Sequence, residues 1–333
     1  MRALTGGVGV SNHTDWQIPE HAQPKAADVA YDLDRALTAV LALRAEIPED
    51  SFTAPILGAE RAGNAVLIRA DGLVATIGYL ITEAERIWLS NGRSAVQAMP
   101  VAYDFTSGFG LVQALGRLDA VPLEIGSATP LRVGDALVVA GAGGRAGALC
   151  TRLIAKREFA GYWEYLLDEA LFTIPAHPHW GGAACLDTAG RLVGVGSLLV
   201  QDANVAGHQV AGNMIVPIDL LTAVLPDLEA HGRPPGPARP WLGAYLADTP
   251  AGVVVSGLAP GGPASRAGLR PGDLIVEVGG IPIGDLGDLY RQLWSLGEAG
   301  ITVVLTLLRD GARGQAKVAT IDRDTMLRQP RRH

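Results

Sequence analysis

Short apolar runs separated by turn residues occupy the chain between residues 55 and 217. Asn91-Gly92 is the strongest local signal, because this dipeptide favours the tight turn that joins two antiparallel strands. Short strands with turn chemistry about every 8–12 residues are typical of β-sandwiches and barrels. The predicted strands cover residues 64–69, 73–81, 86–90, 109–115, 136–141, 148–155, 191–200 and 213–217, and a short helix is predicted over 218–228.

Residues 25–46 have a different period. Apolar side chains recur three and four positions apart there, which places them along one stripe of an amphipathic helix. Pro48 marks the predicted end of this helix. We expect the stripe to be buried against its own domain or a neighbouring subunit, and residues 1–24 to form a loose polar arm. The stripe consists of Val29, Leu33, Ala36, Leu37, Val40 and Leu41.

Residues 229–240 hold four prolines and are predicted to form an extended, semi-rigid spacer. A small mixed domain follows it, with strands predicted over 252–255, 274–278 and 302–309 and a helix over 288–296. Leu289, Leu293 and Leu296 lie on one side of that helix. The predicted organisation is an arm and helix over 1–54, a strand-rich domain over 55–228, the spacer over 229–240, the mixed domain over 241–323 and a tail over 324–333.

Composition excludes several classes of protein. Of 333 residues, 48% are apolar and 18% charged, which supplies enough apolar surface for a folded core. The net charge of −7, from 27 Lys and Arg against 34 Asp and Glu, argues against nucleic-acid binding. Two cysteines, Cys150 and Cys185, are too few for a disulfide framework, although one bridge stays possible.

Membrane and targeting signals are weak in the sequence. No apolar run reaches the length of a membrane span, and residues 1–24 lack the apolar stretch of a signal peptide. We therefore expect a cytoplasmic protein without membrane contact, and a periplasmic protein if a leader has been removed.

The mixed domain resembles the PDZ domain of the HtrA family, which joins a trypsin-like protease to a C-terminal PDZ domain. Residues 259–275 read APGGPASRAGLRPGDLI, residues 278–283 read VGGIPI, and residues 308–311 read LRDG. Residues 70–76, 131–135, 190–195 and 213–218 resemble scaffold strands of the same family's protease domain. The resemblance extends over residues 60–322 and implies a mainly β chain, a trypsin-like double β-barrel followed by an α+β PDZ domain.

The resemblance also places the family's catalytic triad on residues that lack its chemistry. Tyr79 stands at the position of the histidine, Gly108 at that of the aspartate and Trp180 at that of the serine. Hydrolysis by this fold requires an alcohol, an imidazole and an orienting carboxylate. One of the two amide donors of the family's oxyanion hole falls on Pro178, which has no N–H. We therefore expect a pseudoprotease.

Other interpretations of the same region stay open. A relocated nucleophile would combine Cys185 with His177 or His179. A metal site at His177 and His179 lacks a recognisable motif, and polar loop histidines are the simpler interpretation. Tyr79 and Trp180 would in the simplest case fill the cleft and pack against each other.

In the PDZ domain the peptide-binding chemistry is retained. Trp241, Leu242, Gly243 and Ala244 resemble the carboxylate-binding loop, whose N–H groups receive the terminal carboxylate of a peptide that adds as a strand. The pocket for the last side chain would be lined by Leu242, Ala244, Leu246, Leu289 and Leu293, which favours an apolar C-terminal residue. The alternative is a groove filled by the chain's own tail or by a neighbouring subunit.

These expectations combine into one function. We expect a non-catalytic scaffold or chaperone-like assembly factor, without a cofactor or metal, that binds a peptide or protein C terminus or extended segment. The resemblance implies a homo-oligomer, commonly a trimer held by N-terminal segments such as the helix over 25–46. The alternatives are a serine-type endopeptidase with residual or displaced activity, and a structural subunit of a larger enzyme complex.

Overall fold

The computed structural model describes residues 18–205 and 208–328. The first 17 residues of the predicted arm and residues 329–333 of the predicted tail lie outside the described residues. Contacts divide the chain into two compact units. The barrel unit holds the described parts of residues 2–157 and 169–235 together with Arg328, and the C-terminal unit holds Glu158–Asp168 and Gly236–Leu327. The sequence predicts residues 158–168 to lie in the strand-rich domain over 55–228, whereas the structure groups them with the C-terminal unit.

The barrel unit consists of two closed barrels of six strands each. Its first barrel has the strand order β1-β2-β3-β6-β5-β4 and its second the order β10-β11-β12-β9-β8-β7. The strands of the first barrel are β1 (Val40–Glu46), β2 (Glu60–Leu67), β3 (Leu73–Ile77), β4 (Arg86–Ser90), β5 (Ala95–Tyr103) and β6 (Phe109–Ala114). Those of the second are β7 (Ala136–Ala140), β8 (Ala148–Gly161), β9 (Tyr165–Ile174), β10 (Ala184–Leu186), β11 (Leu192–Val205) and β12 (His208–Pro217). The described chain is mainly β, as predicted.

Three helices accompany the barrels. These are α1 (Leu33–Leu37), α2 (Ala54–Leu57) and α3 (Ile218–His231). Helix α3 begins where predicted but continues three residues further, and it ends at Gly232, whose φ of 74° is a left-handed cap conformation that favours glycine. The predicted spacer over 229–240 therefore begins inside this helix. Among the described residues, no helix is long and apolar enough to cross a membrane.

The predicted amphipathic helix over 25–46 is wrong. Only Leu33–Leu37 form an α-helix in that segment, and Val40–Glu46 form β1. From Leu41 to Ala45 burial alternates residue by residue, which is the period of a strand with one face in the core. The pairing of β1 with both β2 and β4 closes the first barrel, and this closure outweighs the helical spacing of the apolar positions.

The predicted hairpin at Asn91-Gly92 is confirmed. Ser90 of β4 faces Ala95 of β5, so a loop of residues 91–94 connects the two strands. Gly92 has a φ of 82°, and the Asn91 side chain accepts hydrogen bonds from two backbone N–H groups of the loop. The hairpin therefore forms where predicted, but Asn91 does not have the positive φ of a tight two-residue turn, and the loop has four residues.

The C-terminal unit contains a sheet that packs against one amphipathic helix. The sheet has the order β13-β14-β15-β17-β18, with β16 paired to β15, so β13 lies at an edge. Leu289 and Leu293 of the helix are fully buried in the core, whereas Leu296, predicted on the same side, is 39% exposed beyond the helix end. The elements are β13 (Ala244–Thr249), β14 (Gly252–Leu258), α4 (Pro263–Arg266), β15 (Leu274–Val278), β16 (Ile281–Pro282), α5 (Leu286–Ser295), β17 (Thr302–Arg309) and β18 (Ala312–Ala319).

Candidate functional site

Three chain segments of the barrel unit meet where the sequence predicts the remnant of a catalytic triad. Tyr79 lies in a 3-10 turn directly after β3. The turn is joined to Gly108 by a hydrogen bond of 2.7 Å from the Gly78 N–H to the Gly108 carbonyl. The Tyr79 hydroxyl lies close to Gly181, the residue that follows Trp180. The structure therefore brings the predicted positions 79, 108 and 180 together.

The Tyr79 hydroxyl is engaged as a donor. It donates to the Ser197 carbonyl at 2.9 Å. Burial raises the pKa of this phenol above its usual 10, and the neighbouring Trp180 side chain only partly opposes that rise. A neutral phenol with its proton directed at a backbone carbonyl offers no general base near neutral pH.

Gly108, the predicted aspartate position, has no side chain. Its φ of 83° lies in the left-handed region, and its N–H donates to the Asp104 carbonyl at 2.7 Å. The carboxylate nearest in sequence, that of buried Asp104, accepts from the N–H groups of Thr106 and Ser107 at 2.8 and 3.0 Å. Asp104 therefore caps its own turn.

His177 is a structural histidine of the segment before Trp180. Its ring accepts from the His179 N–H at Nδ1, and its Nε2 lies 2.9 Å from the Gly147 carbonyl, which fixes the tautomer with the proton on Nε2. Its own N–H donates to the Asn213 side chain at 2.6 Å. Burial lowers the pKa of His177 to about 4, so the ring is neutral near neutral pH.

Cys185, His177 and His179 are the residues predicted as candidates for a relocated nucleophile or a metal site. Cys185 is fully buried in β10, and burial raises the pKa of its thiol to about 12, which keeps it protonated. Cys150 and Cys185 are both free thiols. Among the residues that the structure describes, no group of three or more His, Cys, Asp or Glu is arranged to hold a metal ion.

The predicted carboxylate-binding loop lies in the C-terminal unit and holds a carboxylate. Glu164 accepts from the Leu242 N–H at 2.9 Å through one oxygen. Its other oxygen accepts from the N–H groups of Gly243 at 2.7 Å and Ala244 at 3.1 Å. Gly243 has a φ of 71°, a backbone conformation that glycine adopts without steric cost. The loop is therefore built to receive a carboxylate.

The residues predicted to line the peptide pocket are all buried. Four of them, Leu242, Leu246, Leu289 and Leu293, show no exposed surface, and Ala244 and Trp241 are 2% and 6% exposed. Trp241 does not join the apolar cluster of the other five; it pairs with Ile321 across an isolated bridge.

Sequence reasoning missed Glu164 and the segment around it. Residues 162–167 read YWEYLL, and an acidic residue among aromatic and apolar ones is the one signal of an unusual environment. That signal does not name a partner, because Glu164 and its three donors are separated by about 80 positions along the chain.

Two family models match the chain in the predicted order. A trypsin-like peptidase domain matches residues 63–195, and a PDZ domain matches residues 240–320. Both domains of the sequence-based resemblance are thereby found at the expected places.

Curated relatives and solved structures agree with these matches. A probable periplasmic serine endoprotease, DegP-like, of Pseudomonas fluorescens is 26% identical over 77% of this chain and 55% of its own length. The periplasmic pH-dependent serine endoprotease DegQ of Escherichia coli is 25% identical over 98% of this chain and 78% of its own length. A variant of the HtrA-type protease AlgW with a tripeptide has a TM-score of 0.53 at 22% identity and covers 90% of this chain and 96% of its own, which shows a shared fold.

The chain spans about half the length of the DegP-like relatives that it matches. In this chain a trypsin-like peptidase domain precedes a single matched PDZ domain. The DegP-like relative and DegQ align with 77% and 98% of the chain. This chain belongs to the HtrA family.

Proposed function

We propose that this chain is a catalytically inactive HtrA-family protein that binds peptide or protein C termini, or extended segments, through its PDZ domain. In this role it acts as a scaffold or a chaperone-like assembly factor. The observation that carries the proposal is the phenol of Tyr79 at the position of the base, with its proton donated to the Ser197 carbonyl, and the indole of Trp180 at the position of the nucleophile.

Two further losses support inactivity independently. Gly108 has no group with which to orient an imidazole. Pro178 removes one donor of the oxyanion hole, and such a loss alone typically costs about 10²–10³ in kcat. Because base, nucleophile, orienting acid and one donor are absent together, restoring any one of them does not rebuild the machinery.

Peptide binding is supported by the loop of residues 242–244. Three consecutive N–H groups that converge on a carboxylate are the recognition device of PDZ domains for a chain terminus. The AlgW variant, which shares this fold, was solved with a tripeptide.

The second candidate function is endopeptidase activity. It is favoured by the relatives, which are named serine endoproteases. Their names also favour the periplasm as the compartment, and the expectation of a cytoplasmic protein finds no support among them. Self-association as a homo-oligomer stays a prediction, which sedimentation velocity of the full chain tests.

Two assays on the full chain test the proposal, with DegQ of Escherichia coli as the positive control. A fluorophosphonate probe is expected to label DegQ and leave this chain unlabelled, and an unfolded substrate such as reduced casein is expected to stay intact. Cleavage that disappears in a Cys185→Ala or His179→Ala variant would refute inactivity and establish a relocated site. Labelling of this chain by the probe would refute it as well.

A further inference from the structure

The carboxylate-binding loop of the C-terminal unit is occupied by a side chain of the same chain. Both oxygens of Glu164 are used, and all three N–H donors of Leu242, Gly243 and Ala244 are directed at them. Glu164 is itself buried, at 7% exposure. A terminal carboxylate of a bound peptide would require these same three donors.

The backbone next to Glu164 also forms a hydrogen bond with the edge strand to which a peptide would add. Strand β13 lies at the edge of its sheet, and the carbonyl of Tyr162 accepts from the Leu246 N–H of β13 at 2.8 Å. An extended peptide that adds to a sheet edge forms this kind of main-chain bond. The segment that carries Glu164 therefore supplies a strand-like contact as well as a carboxylate.

Helix α5, on the other side of the groove, fixes the same segment. The Tyr290 hydroxyl donates to the Gly161 carbonyl at 2.7 Å and accepts from the Glu164 N–H at 3.2 Å. Tyr290 is fully buried, so both bonds form away from water. Edge strand and helix thus hold the segment between them.

The apolar pocket is filled from the same segment. Leu166 is 8% exposed and belongs to the buried cluster that contains the predicted pocket residues Leu242, Leu246, Leu289 and Leu293. The segment of residues 161–166, which we call the internal ligand, therefore provides three features of a PDZ ligand: a carboxylate, a main-chain hydrogen bond to the edge strand and an apolar side chain.

The backbone of the internal ligand is strained at the residue that carries the carboxylate. Glu164 has a φ of 60°, in the left-handed region where residues other than glycine are uncommon. Glycine is the usual residue for this conformation, and glutamate has no conformational advantage there. The contacts of the side chain with the loop explain why a glutamate occupies the position.

From these contacts we infer that the PDZ groove is closed in cis by the internal ligand, and that a peptide with a free terminal carboxylate and an apolar last residue binds by displacing Glu164. The inference rests on the proposed peptide-binding function and adds the competitor that the peptide must replace. Because one set of three N–H donors serves both carboxylates, the two occupants exclude each other.

Two variants of Glu164 and one matched control test the inference in the full chain. Glu164→Gly removes the carboxylate and favours the observed φ, and Glu164→Gln keeps the shape of the side chain while replacing one accepting oxygen with an NH2 group, which cannot accept from the N–H groups of the loop. Asp168→Asn is the matched control, because it makes the same change from carboxylate to amide at a residue of β9 whose side chain is 92% exposed. Asp168 accepts no hydrogen bond from the N–H groups of residues 242–244. Circular dichroism and thermal unfolding establish that each variant is folded.

Binding is measured by fluorescence polarisation with a pool of labelled decapeptides that end in Val, Leu, Ile or Phe, each with a free or an amidated C terminus. We expect Glu164→Gly to bind the free-acid pool at least tenfold more tightly than the wild type, Glu164→Gln to bind it more tightly by a smaller factor, and Asp168→Asn to match the wild type. Amidated peptides are expected to bind at least tenfold more weakly to Glu164→Gly.

The other possible outcomes distinguish a failure of the internal ligand from a failure of the proposed peptide binding. Equal affinities of wild type and Glu164→Gly would overturn the internal ligand and leave peptide binding intact. Equal affinities for free and amidated peptides would overturn the exchange of one carboxylate for another. Failure of every variant to bind any peptide would overturn the proposed function, and the inference with it.

Hydrogen exchange gives a readout that needs no peptide. The amides of Leu242, Gly243 and Ala244 are expected to exchange slowly in the wild type and at least tenfold faster in Glu164→Gly. Rapid exchange of these amides in the wild type would refute the cis contact directly.

Discussion

The affinity of the wild-type protein for a peptide C terminus is expected to rise with pH between pH 5 and 8. Burial raises the pKa of Glu164 to about 7, from a usual value of 4.5, and the N–H bonds from the loop and the charge of Arg323 oppose this only in part. Between pH 4.5 and 7, Glu164 is therefore protonated when the groove is closed and ionised when it is open. Closure is strongest below pH 4.5 and weakens as the pH rises through 7.

The pKa values set the size of the effect. A change from 4.5 to about 7 corresponds to about 3 kcal/mol between the acid and alkaline limits, at about 1.36 kcal/mol per pKa unit. Between pH 5 and pH 8 the ratio of closed to open groove is expected to fall about 70-fold. The carboxylate of the peptide, with a usual pKa of about 3.3–3.7, stays ionised over the whole range.

The other titratable groups around the groove either keep their protonation state between pH 5 and 8 or are also present in the control variant. Three tyrosines face Glu164 or its segment, and burial raises their pKa values above 10, so they stay neutral over the range. They are Tyr162, Tyr245 and Tyr290. Asp248, which faces Tyr290, also has a pKa raised by burial. Asp248 is retained in Glu164→Gln, so that variant isolates the contribution of Glu164.

The assay is the dissociation constant of one free-acid peptide, measured by fluorescence polarisation at half-unit steps from pH 5 to 8. We expect the wild type to gain up to about 70-fold in affinity and Glu164→Gln to vary by less than about threefold. A flat profile for the wild type, or the same slope in both proteins, would show that protonation of Glu164 does not control the groove.

Three further predictions concern stability. Leu166→Ala removes a buried side chain from the apolar cluster and should cost about 2–5 kcal/mol in the unfolding of the C-terminal unit, measured by urea denaturation, whereas Leu115→Ala, at a side chain 60% exposed, should cost little. Tyr79→Phe leaves the Ser197 carbonyl without its donor and should lower the free energy of unfolding of the barrel unit by about 1–3 kcal/mol; an unchanged urea midpoint would contradict the observed bond. His177 has a folded pKa of about 4, below its usual 6.5, so its contribution to stability is complete above pH 6.5 and is lost as the pH falls through 4. Thermal unfolding from pH 7 to 4 should therefore show a steeper loss in the wild type than in His177→Gln, and parallel losses would refute this.

The helical spacing of residues 25–46 illustrates how a local pattern misleads. Val40 and Leu41 fit both the helical stripe and the buried face of a strand. Two partner strands, β2 and β4, provide hydrogen bonds along the whole of β1, and an isolated helix of this length has no comparable partner. The partners come from residues up to about 50 positions away, so a local window does not contain them.

The three positions predicted for the triad could be placed on the sequence because short motifs lie near them. Tyr79 follows residues 70–76 and Trp180 precedes residues 190–195, which resemble scaffold segments of the family, and the structure brings positions 79, 108 and 180 together. What the sequence did not reveal is how the replacements are used. The donation of the Tyr79 hydroxyl to the Ser197 carbonyl depends on a contact 118 positions apart along the chain.

Chemistry that depends on which atoms are present can be read from the residues alone. No packing supplies an imidazole to Tyr79, a carboxylate to Gly108 or an N–H to Pro178, so the absence of these groups at these positions is a property of the sequence. Chemistry that depends on which groups meet required the folded chain. The three amides of residues 242–244 are available to any carboxylate, and only the fold shows that Glu164 holds them, because proximity across about 80 residues arises from packing and long-range pairing rather than from neighbouring residues.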